Sequence, residues 1–266
     1  MEKIRKRWLN VQILKELISS ENDTRILIAD DNLAIISDIG RRKQKNQDFG
    51  KVAYREDGAA ILIVADGVSN SQCAELAAKT AVESTFEYLM NSSLFIKSLM
   101  SKAIGYAHEN VCKIPYDVNH RLDEPETTIV AALIKNNELI VGWVGDSRAY
   151  SINGTECKLL TKDDSWCNMA IEKGLLKADE VAGHPKSHII TQCLGTRKFP
   201  PNIHTTKYKI GMKNGIVLCT DGLWSMVDMI EAVDINNIAE LISWKYTVLA
   251  NRMGGHDNIT VATWLP

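Results

Sequence analysis

The sequence predicts a layered α+β domain, with strands grouped beside strands and helices beside helices. Three observations predict it. Short runs rich in β-branched residues come in groups, at Leu33–Ile36, Ile61–Ala65, Ile129–Ile134 and Leu139–Val144. Asn136-Asn137 separates the last two and marks a hairpin, so their pairing is antiparallel. Helical periodicities fall between the groups rather than after each strand, which argues against a parallel βαβ sheet.

Residues 1 to about 22 read as a helix, because Leu9, Ile13, Leu14 and Leu17 recur at three- and four-residue spacing among Lys and Arg. A single apolar stripe of this kind packs on the main domain; a partner-binding helix is the sharper alternative. Ser20 to Thr24 is a polar break. Between the early and middle strands, one helix carries Ala78, Val82, Phe86 and Leu89, and the next Leu99, Ala103, Ala107 and Val111. Helical patterns return at 167–182 and 238–250, and strands at Ile216–Cys219 and Ile259–Trp264. No repeat or linker divides the chain. Residues 1–30 are therefore a helical extension and 31–266 one domain.

Composition excludes several classes. With 45% hydrophobic and 24% charged residues, the 266-residue chain can bury a full core without staples. A net charge of −2 gives no reason to expect nucleic acid or an anionic membrane as partner. No apolar run approaches the roughly 20 residues that span a bilayer, and no apolar stretch of signal-peptide length follows the basic N-terminus. Six cysteines without a Cys-x-x-Cys pair read as small buried hydrophobes in a reducing compartment, so a cytoplasmic protein is expected.

The chemistry lies where strands end. Asp66-Gly67 follows Ile61–Ala65, Asp221-Gly222 follows the strand at 216, Asp146 follows the strand at 139, and Asp257 precedes the last strand. Asp48 follows the basic stretch Arg41-Arg42-Lys43-Gln44-Lys45-Asn46-Gln47. Each alone is an ordinary turn residue. Together, carboxylates at one end of neighbouring strands converge, and such a cluster repels itself unless cations neutralise it. Oxygen-only donors suit Mg2+ or Mn2+. Glycine after Asp66 and Asp221 lets the backbone turn sharply.

These residues carry a resemblance. Val64-Ala-Asp-Gly67, Gly145-Asp-Ser-Arg148, Leu218-Cys-Thr-Asp-Gly-Leu-Trp224 and Gly255-His-Asp-Asn-Ile-Thr-Val261 resemble, in order, the motif series of the PPM (protein phosphatase 2C-type) family. Ser37-Asp-Ile-Gly40 with Asn46-Gln-Asp48 is similar to its opening motif. Thr127-Thr128, Leu160-Thr-Lys-Asp163 and Leu194-Gly195 are similar to weaker landmarks. The match runs from about residue 35 to the C-terminus.

The resemblance implies a four-layer α-β-β-α sandwich: two antiparallel sheets face to face, helices outside, a metal centre at one end. It implies a bacterial-type, metal-dependent protein serine/threonine phosphatase working by attack of a metal-bridging hydroxide. Asp66 would bridge two Mn2+ or Mg2+ ions. Asp221 and Asp257 would complete one ion's ligands, with Asp48 and the Gly67 carbonyl serving the other. Asp146 would serve a third, weaker site. Asp163 to Ser187 would form a flap. The implied partners are a phosphoprotein substrate and a cognate serine/threonine kinase, acting on a monomer. Two departures stand out. Lys43, with Arg42 beside it, occupies the position of the family's phosphate-binding arginine and lacks that fork geometry. No His follows Asp66-Gly67 to protonate the leaving group, which leaves His184, His256 or water, and Asp164 stands where the family often has His. These departures keep a non-catalytic binding module as the alternative. Cys219, inside a strand, reads as core rather than nucleophile.

Overall fold

The computed structural model describes residues 24–154, 156–181, 184–229 and 237–266. The helix expected at residues 1–22 lies outside them. The strands run β1 Thr24–Asp30, β2 Leu33–Asp38, β3 Asp48–Tyr54 and β4 Ala60–Asp66, then β5 Ile129–Lys135, β6 Glu138–Val144, β7 Arg148–Ile152 and β8 Cys157–Leu159. They end with β9 His204–Lys209, β10 Gly215–Cys219 and β11 Ile259–Trp264. The helices are α1 Ala74–Met90, α2 Lys97–Val111, α3 Trp166–Glu172, α4 Asp221–Trp224 and α5 Ala239–Arg252.

Two sheets form, in the orders β1-β2-β11-β10-β7-β8 and β3-β4-β5-β6-β9. Every pairing between these strands is antiparallel. β4 shows why the layers stack. Leu62 and Val64 point into the seam between sheets, against Ile35, Leu218 and Ala262. The alternate residues Ile61, Ile63 and Ala65 point outward against Ala77, Ala81, Met100 and Ala103 of α1 and α2. A strand buried on both faces must read as an unbroken apolar run. On the other side, Ala34, Val217 and Val261 pack beneath Ile242, Tyr246 and Ala250 of α5. Helix, sheet, sheet and helix therefore form the expected four layers. Asn136 and Asn137 have φ of 51° and 61°, the left-handed pair that a two-residue hairpin turn requires.

Three expectations need correction. Residues 24–30, placed in the helical extension, form β1, which pairs with β2 from Thr24↔Asp38 to Asp30↔Leu33 and so belongs to the sandwich. The helix expected over 167–182 stops at Glu172, and Gly174, at φ 68°, turns the chain out of it before a single 3-10 turn at Ala178–Glu180. The cysteines are all free, but Cys73 is exposed and Cys112 and Cys157 are half-buried. Among the described residues no helix is long and apolar enough to cross a membrane.

Candidate metal centre

The sandwich brings the predicted carboxylates to one end. Asp48, first in β3, is the cross-strand partner of Asp66, last in β4. Asp146 sits in the turn from β6 to β7, Asp221 opens α4 directly after β10, and Asp257 precedes β11. Asp66, Asp146, Asp221 and Asp257 line one open cleft of about 790 Å³. Asp48 lies fully buried behind them.

Their negative charge is only partly offset, by Lys43 beside Asp257. Burial, and then Asp48, Asp221, Asp257 and Asp146, push the Asp66 carboxyl well above its usual range. Asp221 is raised by burial and then by Asp257. Asp146 is raised by burial, then by Asp221 and Asp163. Asp48 is pushed up to about 7, mostly by burial, although Thr260 and Thr220 each donate a hydroxyl to its Oδ2, at 2.8 and 2.9 Å. Its other oxygen, Oδ1, and Oδ1 of Asp221 are buried with no hydrogen-bond partner. Orphaned carboxylate oxygens are rare in a folded interior and require a reason.

That donor set fits divalent cations: hard oxygens, excess negative charge and two unused acceptors. Among the described residues no trio of His, Cys, Asp or Glu already has metal-binding spacing.

Neighbouring residues set this geometry. Gly67 and Gly222 have no positive φ, so sharp turning, expected of both, is not their role. Close approach is: a Cβ on Gly67 would lie 2.4 Å from the Ala74 carbonyl oxygen, and on Gly222 1.9 Å from that of Asn258. Asn258 ties the basic loop to this turn. Its Oδ1 accepts from Gln47 N at 2.8 Å, and its Nδ2 donates to the Ile39 and Lys45 carbonyls at 2.8 and 3.0 Å. Lys43 consequently reaches the carboxylates, with Nζ 2.7 Å from Asp257 Oδ1 and 3.2 Å from Ser69 Oγ. Burial disfavours the charged Lys43, but Asp257, Asp66 and Asp221 outweigh it and its pKa is raised. Arg42 is exposed.

Several residues of the quoted motifs make contacts that had no sequence signal. Arg148 grips Asp163 with two bonds, of 2.9 and 2.6 Å, and stacks on Trp224, whose Nε1 donates to the Asp146 carbonyl. Asp164 is a brace: it accepts from Gly145 N at 3.0 Å and Gln192 Nε2 at 2.7 Å, and His204 Nε2 lies 2.9 Å away. His184 stacks on Trp166, and neither it nor His256 lines the cleft, whereas His188 does. The flap-side wall is formed by residues just beyond the expected flap, between His188 and Pro201. Cys219 is buried and its thiol is pushed far up, as expected for core.

Comparison with known proteins matches residues 39–244 to the protein phosphatase 2C family. "Serine/threonine phosphatase stp" of Listeria welshimeri is 28% identical over 233 residues, covering 85% of this chain and 92% of the relative. "Protein phosphatase PhpP" of Streptococcus pneumoniae is 29% identical over 240 residues, covering 86% and 95%. The S. agalactiae serine/threonine phosphatase structure superposes with a TM-score of 0.78 at 25% identity, over 91% of this chain and all of that one. The catalytic domain of the phosphatase PstP, solved with two manganese ions, shares the fold at a TM-score of 0.68 and 23% identity, over 90% and 96%.

Proposed function

We infer the reaction from one established premise: the chain belongs to the protein phosphatase 2C family. It is a metal-dependent protein serine/threonine phosphatase, removing phosphate from phosphoserine and phosphothreonine. The observation that carries the mechanism is the set of four aspartates lining one open cleft, with Asp48 buried behind them and an orphaned oxygen on each of Asp48 and Asp221.

Asp66 would serve two cations, Asp221 and Asp257 one of them, Asp48 and the Gly67 carbonyl the other, and Asp146 a third, weaker one. Mn2+ and Mg2+ both suit these donors. When bound, such a pair supplies Lewis acidity, offsetting phosphoryl charge and lowering the pKa of water. The chain's own residues do the rest. Lys43 is placed to take a phosphoryl oxygen. Its pair with Asp257 has side chains 26% and 36% exposed. A pair so exposed is worth about 0–1 kcal/mol, so phosphate can draw the ammonium away. Arg42, on the exposed side of the loop, is the weaker candidate. Cys219, buried and protonated, offers no nucleophile. Among the described residues His188 is the histidine on the cleft wall, placed to pass a proton to the leaving oxygen.

Among the described residues no structural feature favours a non-catalytic module, and all five aspartates are present. The setting that fits six free cysteines is the cytoplasm, with a monomer acting on the products of a serine/threonine kinase. Turnover of p-nitrophenyl phosphate with Mn2+ tests the reading. Activity should disappear in EDTA and in Asp66→Ala; metal-independent turnover, or none by the wild type with Mn2+, overturns it.

A further inference from the structure

We propose that Phe199 is a specificity platform of the cleft, taking an apolar side chain that flanks the phosphorylated residue of a protein substrate. The proposal rests on the phosphatase reading and extends it to substrate class. Phe199 is 72% exposed and lines the same cleft as Asp66, Asp146, Asp221 and Asp257. A single exposed apolar residue is ordinary on a protein surface, so exposure alone means little.

The loop behind the ring gives it meaning. Arg197 anchors it: the backbone N–H and guanidinium both bond Glu124, at 2.9 and 2.6 Å. Nη2 also donates to the Cys112 and Ile114 carbonyls, at 2.5 and 2.9 Å. The guanidinium stacks on Tyr116, 4.2 Å from the ring centre. Thr196 Oγ1 donates to the Phe199 carbonyl at 2.9 Å, and Pro200-Pro201 fixes the chain beyond. The backbone that carries the ring is thus braced at the cleft wall, so little backbone freedom remains to be lost when a ligand covers it.

The wall also has a consistent chemistry. Ile189, 40% exposed, joins Phe199, Pro200 and Pro201 there, while the floor is acidic. At about 790 Å³ the cleft has the volume of a drug-sized site, more than one phosphorylated side chain fills. Glu126 and Lys198 bring both signs of charge to the same wall, so charge does not select a flanking residue. Apolar contact does. The occupant is therefore the stretch of polypeptide continuous with the phosphoresidue, bearing an aliphatic or aromatic side chain on one flank.

The test uses matched phosphothreonine peptides with Leu or Gly on each flank, and the full chain with Mn2+. The wild type should prefer Leu on one flank about tenfold in kcat/KM, carried by KM. That is the factor about 1.4 kcal/mol gives. Phe199→Ala should bring the ratio close to one, and Phe199→Leu should restore most of it. Met212→Ala, which removes a 79% exposed side chain outside this cleft, should leave the ratio intact. A wild-type ratio of one, or a ratio that survives Phe199→Ala, overturns the proposal. So does a concentration-dependent self-association that Phe199→Ala abolishes while the ratio stands, since the ring would then serve a second copy of the chain. Absence of p-nitrophenyl phosphate turnover in the wild type sinks the phosphatase reading instead. Fluorescence anisotropy of the labelled peptides would then measure the flank preference directly.

Discussion

Gly222→Ala tests whether close backbone approach, rather than glycine's conformational freedom, builds the metal centre. Gly222 follows Asp221 in α4, and an added Cβ would lie 1.9 Å from the Asn258 carbonyl oxygen and 2.9 Å from its carbonyl carbon. Restoring ordinary van der Waals contact means opening that approach by about 1.5 Å. The strain cannot stay local. Asn258 holds Gln47, Ile39 and Lys45 and follows Asp257, so a shift there moves both the Lys43 loop and a ligand candidate. A misplacement of about 1 Å at a reacting centre costs roughly 10²-fold in rate. Overpacking of this kind destabilises by about 1–3 kcal/mol. At about 2–4 °C per kcal/mol for a domain of this size, Tm should fall by roughly 2–12 °C. The assay is kcat/KM on p-nitrophenyl phosphate at saturating Mn2+, with a Mn2+ titration and a melting curve. Activity within twofold of wild type, with unchanged Mn2+ affinity, refutes the reasoning.

Gly105→Ala is the converse, because in α2 its Cβ would meet only Ile203 Cδ1, at 3.7 Å. The lower helix propensity of glycine should make this variant about 0.5–1 kcal/mol more stable with turnover unchanged, and a lower Tm would contradict it. Lys43→Ala should raise KM for phosphate esters more than it lowers kcat. An unaltered KM, with Arg42→Ala raising it instead, would move phosphate binding to Arg42. In EDTA, stability should fall as pH rises. Asp48's folded pKa of about 7 lies above its ordinary 3.8, so its contribution is complete below about pH 4 and lost as pH climbs through 7. That difference is worth at most about 4 kcal/mol. Melting curves in EDTA at pH 5 and 7.5 read it, and a Tm that rises with pH in this window would be incompatible.

What could be read from the sequence follows burial. β2, β4, β5, β6, β10 and β11 are covered on both faces, and their apolar runs announce them. β1, β3, β8 and β9 are the edges of the two sheets, where one side is open and polar residues intrude, as in His204-Thr-Thr-Lys-Tyr-Lys209. β7 is internal yet was obscured by Arg148 and Ser151, and Arg148 is there to hold Asp163 beside the Asp146 turn. The carboxylates were legible because strand ends and Asp-Gly turns are local signals. The contacts that arm them were not, although their residues stand in the quoted motifs. Asn258 acts on Gln47, 211 positions away, and Thr220 and Thr260 act on Asp48 from the opposite sheet. Such partners are fixed only by tertiary contact, and no periodicity or spacing encodes them.

The distribution of the five aspartates between the sheets explains why the site is expensive to maintain. Asp48 and Asp66 come from the sheet of β3 to β6, Asp221 and Asp257 flank β10 and β11 of the other, and Asp146 sits in the turn that crosses between them. Their mutual repulsion acts across the seam that Leu62, Val64 and Leu218 hold closed by apolar contact. The two orphaned oxygens lie one on each side of that seam, on Asp48 and Asp221. A cation between the sheets would turn the repulsion into attraction. At a hundred times its Kd it would add about 2.7 kcal/mol to stability. The ion that equips the cleft for chemistry would therefore also fasten the two sheets at that end, so loss of metal should weaken the fold and the activity together.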